Sequence, residues 1–301
     1  MLCGGIIEET NTLLDIEIFP QVENCQLPGL WQGFNGPTGP SIFQHGTDIL
    51  LCGSDENACW KLDHENTNWS KFNTLLMQEY PTSSVQMING TYLFADSKAT
   101  HMIMEFIAHN KKEWQSGTEI PGNVITPCVV DISDDEFLII GGYDSDTQHP
   151  SGRILKFNTK YKKWTDTAIK LEPELQRHRC YTFNKKVIIT GGLSGMNQQK
   201  TSVTKIIDIH DNGELKIRQA GNMTENRVDH GMGVIEIDNE YKVIAFGGSD
   251  GGTFLNSVEI WNDINETWSK SSLVLRQPKS SFSFGTFPTE LLCPNSKLTK
   301  N

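Results

Sequence analysis

The sequence lacks any apolar stretch long enough to span a bilayer, and it lacks a clustered basic surface. The formal net charge of the 301 residues is −11, with both signs scattered along the chain. Short basic runs at 110–112 and 160–163 are typical of solvated hairpin tips. Because nucleic-acid binders concentrate positive charge on one face, we expect no nucleic-acid partner and no membrane span.

Cysteine is present in an odd number, seven, without the CxxC pairs of a zinc site, and we expect neither a metal nor a cofactor. Cys52 and Cys59 belong to adjacent predicted strands, where a disulfide could join them. Buried free thiols are the favoured interpretation of that pair. Cys128 and Cys180 are predicted to be small core residues of neighbouring units.

Glycine is plentiful, at 26 residues, whereas the hydrophobic fraction is a modest 37%. Many turns combined with limited apolar content favour a fold of many short strands over a helical one. A chain of this length can form one large domain or two small ones, and internal repeats would indicate which.

An aliphatic run that ends in a glycine pair recurs along the chain. It reads FLIIGG at 137–142, VIITGG at 187–192 and VIAFGG at 243–248, and the chain starts with MLCGG. Degenerate copies at 49–54 and 91–96 complete a series with spacings of 42 to 56 residues. The glycines that carry the pattern are Gly4, Gly5, Gly53, Gly141, Gly142, Gly191, Gly192, Gly247 and Gly248.

A tryptophan closes most copies, and the residue seven positions earlier is apolar in all six. The closing tryptophans are Trp69, Trp114, Trp164 and Trp268, with Cys25 and Lys216 in the same slot of the other two copies. Three copies also carry an arginine ahead of a short apolar run, at Arg177, Arg227 and Arg276. Each copy therefore contains four strand-like pieces. The tryptophans are interpreted as structural, because a large indole fits the space between sheets.

Four short strands in a unit of about 50 residues resemble the kelch repeat. The resemblance implies an all-β fold, a six-bladed kelch-type β-propeller over residues 1–288, with a loose tail at 289–301. A strand at about 280–287 is expected to pair with the N-terminal strand and close the ring. We expect a monomeric propeller alone, without the BTB and BACK domains of ubiquitin-ligase relatives.

The first copy has one residue fewer before its glycine pair than the others, so we expect that sequence upstream of Met1 has been lost. The chain as given indicates a cytoplasmic location, and a lost signal peptide would make the protein secreted. Four N-glycosylation sequons begin at Asn68, Asn89, Asn222 and Asn265. Chance alone gives about three or four in a chain of this composition, so they do not by themselves indicate secretion.

The resemblance implies a non-enzymatic protein-interaction module that binds a partner through loops at one face of the ring. The longest loops follow the glycine pairs, at 144–152, 193–201 and 249–256. The predicted binding residues are Asp144, His149, Asn197, Asp250, Arg177, Arg227 and Arg276.

Enzymatic relatives provide the alternative, with no catalytic residue assigned. The chain lacks the tyrosine and histidine cage of copper-radical oxidases, and only Cys180-Tyr181 resembles part of it. The ferrous motif of plant specifier proteins is incomplete, because Glu225 and Asp229 are followed by Gly233 in place of histidine. A sialic-acid mutarotase remains the runner-up: the three arginines would bind the carboxylate near Glu174 or Glu225.

Overall fold

The computed structural model describes residues 2–8, 11–17, 41–53, 57–63, 68–77, 81–97 and 101–292. These residues form 29 strands and one four-residue helix, α1 (Thr289–Leu292). No helix among them is long and apolar enough to cross a membrane. In chain order the strands are β1 (Leu2–Glu8), β2 (Asn11–Glu17), β3 (Ser41–His45), β4 (Asp48–Cys52), β5 (Ala58–Leu62), β6 (Trp69–Thr74), β7 (Pro81–Met87), β8 (Gly90–Ser97), β9 (His101–Ala108), β10 (Gln115–Ser116), β11 (Val124–Ile125), β12 (Cys128–Ser133), β13 (Glu136–Ile140), β14 (Tyr143–Asp144), β15 (His149–Pro150), β16 (Ile154–Asn158), β17 (Lys163–Asp166), β18 (Leu175–Gln176), β19 (Arg179–Phe183), β20 (Lys186–Thr190), β21 (Leu193–Ser194), β22 (Gln199–Lys200), β23 (Thr204–Ile209), β24 (Leu215–Gln219), β25 (Gly231–Ile237), β26 (Glu240–Phe246), β27 (Ser257–Asn262), β28 (Thr267–Val274) and β29 (Ser283–Phe284).

Five of the sheets have four antiparallel strands, as the repeat predicts. Their orders are β3-β4-β5-β6, β10-β9-β8-β7, β12-β13-β16-β17, β19-β20-β23-β24 and β25-β26-β27-β28. A sixth sheet, β2-β1-β29, joins the two ends of the chain. The fold is all-β, and its repeated four-stranded sheets are of the kelch-propeller type.

Two-residue turns connect the first and second strands of these sheets. At Asn184-Lys185 and Asp238-Asn239 all four residues have φ between 51° and 59°. That backbone matches the primed turns that suit tight hairpins, and Asn and Asp tolerate it best. Because the strands alternate in direction, these turns lie at the same end of each sheet as the third-to-fourth strand turns. We call this end the turn face, and the opposite end the loop face.

The glycine pairs lie where the second strand reaches the loop face. Gly191 and Gly192 have φ of 67° and 93°, a region that side chains disfavour. A Cβ on Gly191 would lie 2.3 Å from the carbonyl oxygen of Arg227. The backbone N–H of Gly192 donates to that oxygen at 2.7 Å, so the pair lets the following linker pass against the sheet.

Apolar side chains fill the space between neighbouring sheets. Trp69, Trp114 and Trp268 are buried, while Trp164 is partly buried and packs against Phe157 with ring centroids 4.6 Å apart. The indole N–H of Trp268 donates to the Thr204 hydroxyl of the preceding sheet at 3.0 Å. Each sheet therefore hides its faces against its neighbours.

One slot of the repeat was placed wrongly from the sequence. In the sheet β19-β20-β23-β24, Ile207 pairs with Val187 on one side and with Ile217 on the other. Phe137, Phe157 and Trp164 make the same ladder in the preceding sheet. Ile217 therefore occupies the tryptophan slot, and the prediction of Lys216 with Ile209 is wrong. The turn between β23 and β24, at 210–214, is one residue longer than the corresponding turn at 159–162. The predicted pair was therefore displaced by two residues on β23 and by one residue on β24.

The first strands of the six sheets contact one another in the cyclic order β29, β3, β7, β12, β19, β25 and back to β29. We call these the inner strands. Leu2 pairs with Phe284 and Cys3 with Ser283, so the C-terminal segment lies beside the N-terminal strand. The strand covers two residues, 283–284, rather than 280–287. Helix α1 falls inside the predicted tail, and its Leu292 is buried.

Two disulfides correct the cysteine predictions. Cys52 and Cys59 face each other on β4 and β5 and are bonded, with Cα atoms 4.0 Å apart. Cys128 and Cys180 are bonded between the inner strands β12 and β19, with Cα atoms 5.9 Å apart. Inner strands of neighbouring sheets run side by side, which brings cysteines 52 residues apart within bonding distance. The sequence placed Cys128 and Cys180 on the first strands of neighbouring units, but it did not show that these strands lie side by side.

Removal of the inter-sheet disulfide should destabilise the protein more than removal of the hairpin disulfide. The loops span 52 and 7 residues, so chain entropy predicts losses of about 4 and about 2–3 kcal/mol. The free energy of unfolding in urea would be measured for Cys128→Ala/Cys180→Ala and, as the matched control, Cys52→Ala/Cys59→Ala. Equal losses, or none in the first variant, would contradict this.

Candidate binding face

The three predicted loops fold into small hairpins on the loop face. The hairpins β14-β15 and β21-β22 each pair with a short strand of the linker that precedes an inner strand, β11 and β18. In the third loop, isolated bridges join Ser249 to Val228 and to Phe254. The backbone groups of these loops are thus held by hydrogen bonds, which makes the loop face a firm surface.

Asp144 and Asp250 shape their own loops. The Asp144 carboxylate accepts from the backbone N–H groups of Asp146 and Thr147, at 2.9 and 3.2 Å. The Asp250 carboxylate accepts from Gly252 and Thr253, both at 2.8 Å, and these bonds lower its pKa. Both aspartates therefore stabilise a turn in addition to any contact with a partner.

The loop tips expose other side chains to a partner. His149 and Asn197 are exposed, as is Arg276 in the last linker. Met196, which the sequence reading missed, has 76% of its surface exposed beside Asn197. An isolated methionine between glycine and asparagine carries no periodic signal, so only its exposure reveals it.

The three arginines do not occupy equivalent positions. The second glycine of each pair donates to the carbonyl of Leu175, Arg227 or Lys279, at 2.7 to 2.8 Å. These three residues, 52 positions apart, are the true equivalents. Arg177 lies two residues after its equivalent, and Arg276 lies three residues before. The sequence alignment of Arg177 with Arg227 and Arg276 is therefore wrong.

Arg227 is a core residue, fully buried, so it cannot contact a partner. Its guanidinium pairs with the equally buried Glu259 at 3.1 Å and donates to the carbonyls of Gly247 and Ser257. In the equivalent position Lys279 pairs with buried Glu17 at 2.6 Å. Glu17 and Glu259 also accept from backbone N–H groups of their linkers, so these pairs fasten linkers to sheets.

A set of four equivalent residues marks the point where each linker turns into an inner strand. We call them the rim residues, and all have left-handed φ, between 50° and 55°. They are Thr126, Arg177, Asp229 and Ser281. This conformation is costly for side-chain-bearing residues and frequently marks functional sites.

Three of the rim residues are hydrogen-bonded in series. The N–H of Asp229 donates to the carbonyl of Arg177 at 3.3 Å, and that of Ser281 to the carbonyl of Asp229 at 3.1 Å. The Asp229 carboxylate also pairs with the Arg177 guanidinium and accepts from the Ser281 hydroxyl. The Arg177 side chain is 45% exposed, so it remains accessible from the loop face.

Polar groups cluster between the inner strands, below the rim. The Arg179 guanidinium donates to the carbonyl of His230 at 2.8 Å and lies 5.7 Å from the ring of Phe284 on β29. Burial raises the pKa of both Asp131 and Tyr181. The Asp131 side chain is nevertheless exposed to solvent. We call Asp131, Arg179 and Tyr181 the central cluster.

Two histidines lie buried behind the rim, at equivalent positions. His178 and His230 lack ring-nitrogen hydrogen bonds of normal geometry, although the carbonyl of Ile140 lies near enough to His178 to affect it. Burial lowers the pKa of His178 to about 3 and holds that of His230 well below its usual range. Both are therefore neutral at physiological pH.

The enzymatic motifs considered from the sequence do not form a metal site in the described residues. The Glu225 carboxylate contacts Lys270, Ser257 and Arg227, whereas Asp229 pairs with Arg177. Glu225 and Asp229 therefore bind different partners and do not face a common site. Cys180, next to Tyr181, is consumed in the disulfide to Cys128.

The chain is similar in sequence to known proteins that contain kelch repeats. A family model described as the Kelch motif matches residues 239–272, which span β26 to β28 with Gly247, Gly248 and Trp268. Over 156 residues the chain is 24% identical to the Kelch repeat and BTB domain-containing protein F47D12.7 of Caenorhabditis elegans. It is 22% identical to the Kelch repeat-containing protein kel-10 of the same organism. The chain therefore carries a Kelch motif and is similar in sequence to kelch-repeat proteins.

The segment matched to these relatives covers 49% of this chain but only 24% of either relative. Among solved structures, that of YjhT superimposes with a TM-score of 0.65 and covers 80% of this chain and 85% of that chain. The two are 11% identical, so the likeness extends to the fold alone.

The rim and the central cluster were not predicted as sites. From the sequence, Arg177 was expected to bind a partner, and Asp229 and Tyr181 were considered only as parts of enzymatic motifs. Thr126, Arg177, Asp229 and Ser281 share no side-chain chemistry, so composition could not align them. Their spacings of 51, 52 and 52 residues were the available signal, and the misplaced arginine series concealed it.

Replacement of His178 by phenylalanine should reduce acid sensitivity, because the equivalent position of the next-but-one unit already holds buried Phe282. The pKa of His178 is about 3 in the folded protein against 6.5 in an unfolded chain. The contribution of neutral His178 to the free energy of unfolding is thus complete above pH 6.5 and is lost as the pH decreases towards 3. In urea unfolding, His178→Phe should stay within about 1 kcal/mol of wild type at pH 7 and lose less stability at pH 4.

Phe282→His is the matched control, since it places a histidine in the equivalent buried slot. It should add to the loss of stability between pH 7 and pH 4. The same pH dependence in wild type and both variants would show that these positions do not titrate as buried histidines.

Proposed function

We propose that the six sheets are the blades of a single closed propeller formed by residues 1–288. The cyclic contacts of the inner strands and the pairing of β29 with β1 support this arrangement. Pairing with β29 covers the edge of β1 that would otherwise be open.

We further propose that this kelch-repeat protein is a non-enzymatic interaction module that binds a protein partner through its loop face. The observation that carries the proposal is the set of three loops held as hydrogen-bonded hairpins on one face, with exposed His149, Asn197 and Met196 at their tips. A preformed surface loses little conformational entropy when a partner binds. The polar tips with one exposed apolar side chain suit a partner of mixed polarity.

The loop face would be tested with a triple variant, Asp144→Ala/Asn197→Ala/Asp250→Ala. Proteins that the wild type captures would be identified, and their affinities for purified wild type and variant compared. We expect at least a tenfold loss, because the variant removes one tip side chain and relaxes two loops. The control, Tyr161→Ser/Tyr241→Ser/Ile264→Ser, changes exposed residues of the turn face and should bind normally. A partner lost only by this control would show that the wrong face was assigned.

A second candidate is a carbohydrate-active protein that binds a carboxylate, such as a sialic-acid mutarotase. It is favoured by the central cluster, in which Arg179 and Tyr181 lie two residues apart on β19 and the Asp131 carboxylate acts on Tyr181. Burial raises the pKa of both Asp131 and Tyr181. A guanidinium can bind a carboxylate, and groups with shifted pKa can act as acid and base. The exposed Arg177 at the rim adds a positive charge above them.

The two candidates are separated by NMR of anomeric exchange in sialic acid. We expect no acceleration by wild-type protein. Acceleration that is proportional to protein concentration, lost in Arg179→Gln and retained in the exposed turn-face variant Lys160→Gln, would overturn the non-enzymatic proposal. Circular dichroism would establish that both variants are folded.

A further inference from the structure

We propose that this protein matures in an oxidising secretory compartment and carries N-linked glycans at Asn89 and Asn265, on the turn face. Two independent features support the proposal: paired cysteines and the placement of the sequons. Neither depends on the partner proposed for the loop face.

The first feature is the pair of disulfides. All four of the cysteines on the described strands β4, β5, β12 and β19 are bonded, in two pairs at different places in the fold. One links strands of a hairpin, and the other links neighbouring sheets. Disulfides of this structural kind persist in secreted proteins and are rare where the thiol pool is reducing. The same compartment contains the machinery that transfers glycans to asparagine.

The second feature is the position of Asn89 and Asn265. Asn89 lies in the two-residue turn between β7 and β8, and Asn265 in the turn between β27 and β28. Both side chains are exposed, and each sequon has threonine at its third position, Thr91 and Thr267. A glycan on either asparagine would extend into solvent from a hairpin tip. The Asn89 Nδ2 donates to the Tyr92 hydroxyl at 3.2 Å, and a glycosylated amide nitrogen keeps one N–H for that bond.

The other two sequons are less suitable. The amide oxygen of Asn222 accepts from the backbone of Thr204 and from the side chain of Gln219, and it lies on the loop-face side of β24. Asn68 directly precedes β6 and binds the backbone of Trp69 through its amide oxygen. Trp69 is buried, so a glycan at Asn68 would emerge beside a packed tryptophan. We therefore assign modification to Asn89 and Asn265.

The modification requires a lipid-linked oligosaccharide as donor. The amide nitrogen Nδ2 forms a bond to the anomeric carbon of the sugar, and the bond from that carbon to the lipid diphosphate breaks. The diphosphate leaves with the bonding electrons, and the amide proton passes to a base of the transferase. Each disulfide forms when two thiols lose two protons and two electrons to a protein disulfide oxidant.

Glycans on the turn face would cover that face and leave the loop face open to a partner. Exposed Ile88 and Ile264 lie next to Asn89 and Asn265 in the same turns, with 64% and 92% of their surfaces exposed. A glycan beside each would shield an apolar side chain that otherwise favours association. The loop hairpins carry none of the four sequons, so the proposed binding loops would remain uncovered.

The test is peptide mass spectrometry of the full-length protein purified from its natural source, without reductant and after thiol blocking. Peptide-N-glycosidase treatment in heavy-oxygen water converts a glycosylated asparagine to labelled aspartate. We expect the label at Asn89 and Asn265 and disulfide-linked peptides for Cys52–Cys59 and Cys128–Cys180. Unlabelled Asn89 and Asn265, or blocked free thiols at those four cysteines, would overturn the proposal.

A second measurement uses recombinant protein secreted from animal cells. Thr91→Ala and Thr267→Ala each remove one sequon without changing the asparagine, and each should increase electrophoretic mobility by one glycan. Ser70→Ala, which removes the Asn68 sequon, is the matched control and should leave mobility unchanged. A shift with Ser70→Ala and none with the threonine variants would contradict the assignment of sites.

Discussion

The structure depends on one constraint: a four-stranded sheet with two apolar faces cannot exclude water from both of them alone. Phe137, Phe157 and Trp164 form a continuous ladder across one sheet, and the same sheet buries Leu138 and Ile140 on its other side. Only neighbouring sheets can cover both faces. The cyclic contact of the inner strands follows, and so does the repetition of the sequence, because each unit must present compatible surfaces to the next.

Buried charged side chains hold the linkers against the packed sheets. The backbone of each linker leaves its sheet at the loop face, where its polar groups are partly shielded from water. Buried carboxylates at equivalent positions, Glu17, Glu105 and Glu259, accept hydrogen bonds from these linkers. Where a cation is also buried, as at Arg227 and Lys279, it pairs with such a carboxylate. Loss of one partner from such a pair costs more than the pair itself contributes, because an isolated buried charge remains.

The class of fold and its repeat could be predicted from sequence, because glycine pairs and tryptophans mark backbone and packing requirements that recur in every unit. The exact equivalence of residues could not. A longer turn at 210–214 displaced the tryptophan slot to Ile217. The arginines were aligned by residue type, although Leu175 is the true equivalent of Arg227. Rim residues escaped notice because the repeat conserves their backbone conformation and not their chemistry. The bond between Cys128 and Cys180 depends on the proximity of inner strands, which only the assembled sheets reveal.

The same bond also changes how the molecule would respond to mechanical force. If the protein is pulled by its two ends, the segment between Cys128 and Cys180 cannot contribute to extension while the sulfurs remain joined. With 52 residues in that segment, the fully stretched chain would be shorter by about 180 Å. The tension would pass across the bond between β12 and β19, and the enclosed sheet β12-β13-β16-β17 would be spared.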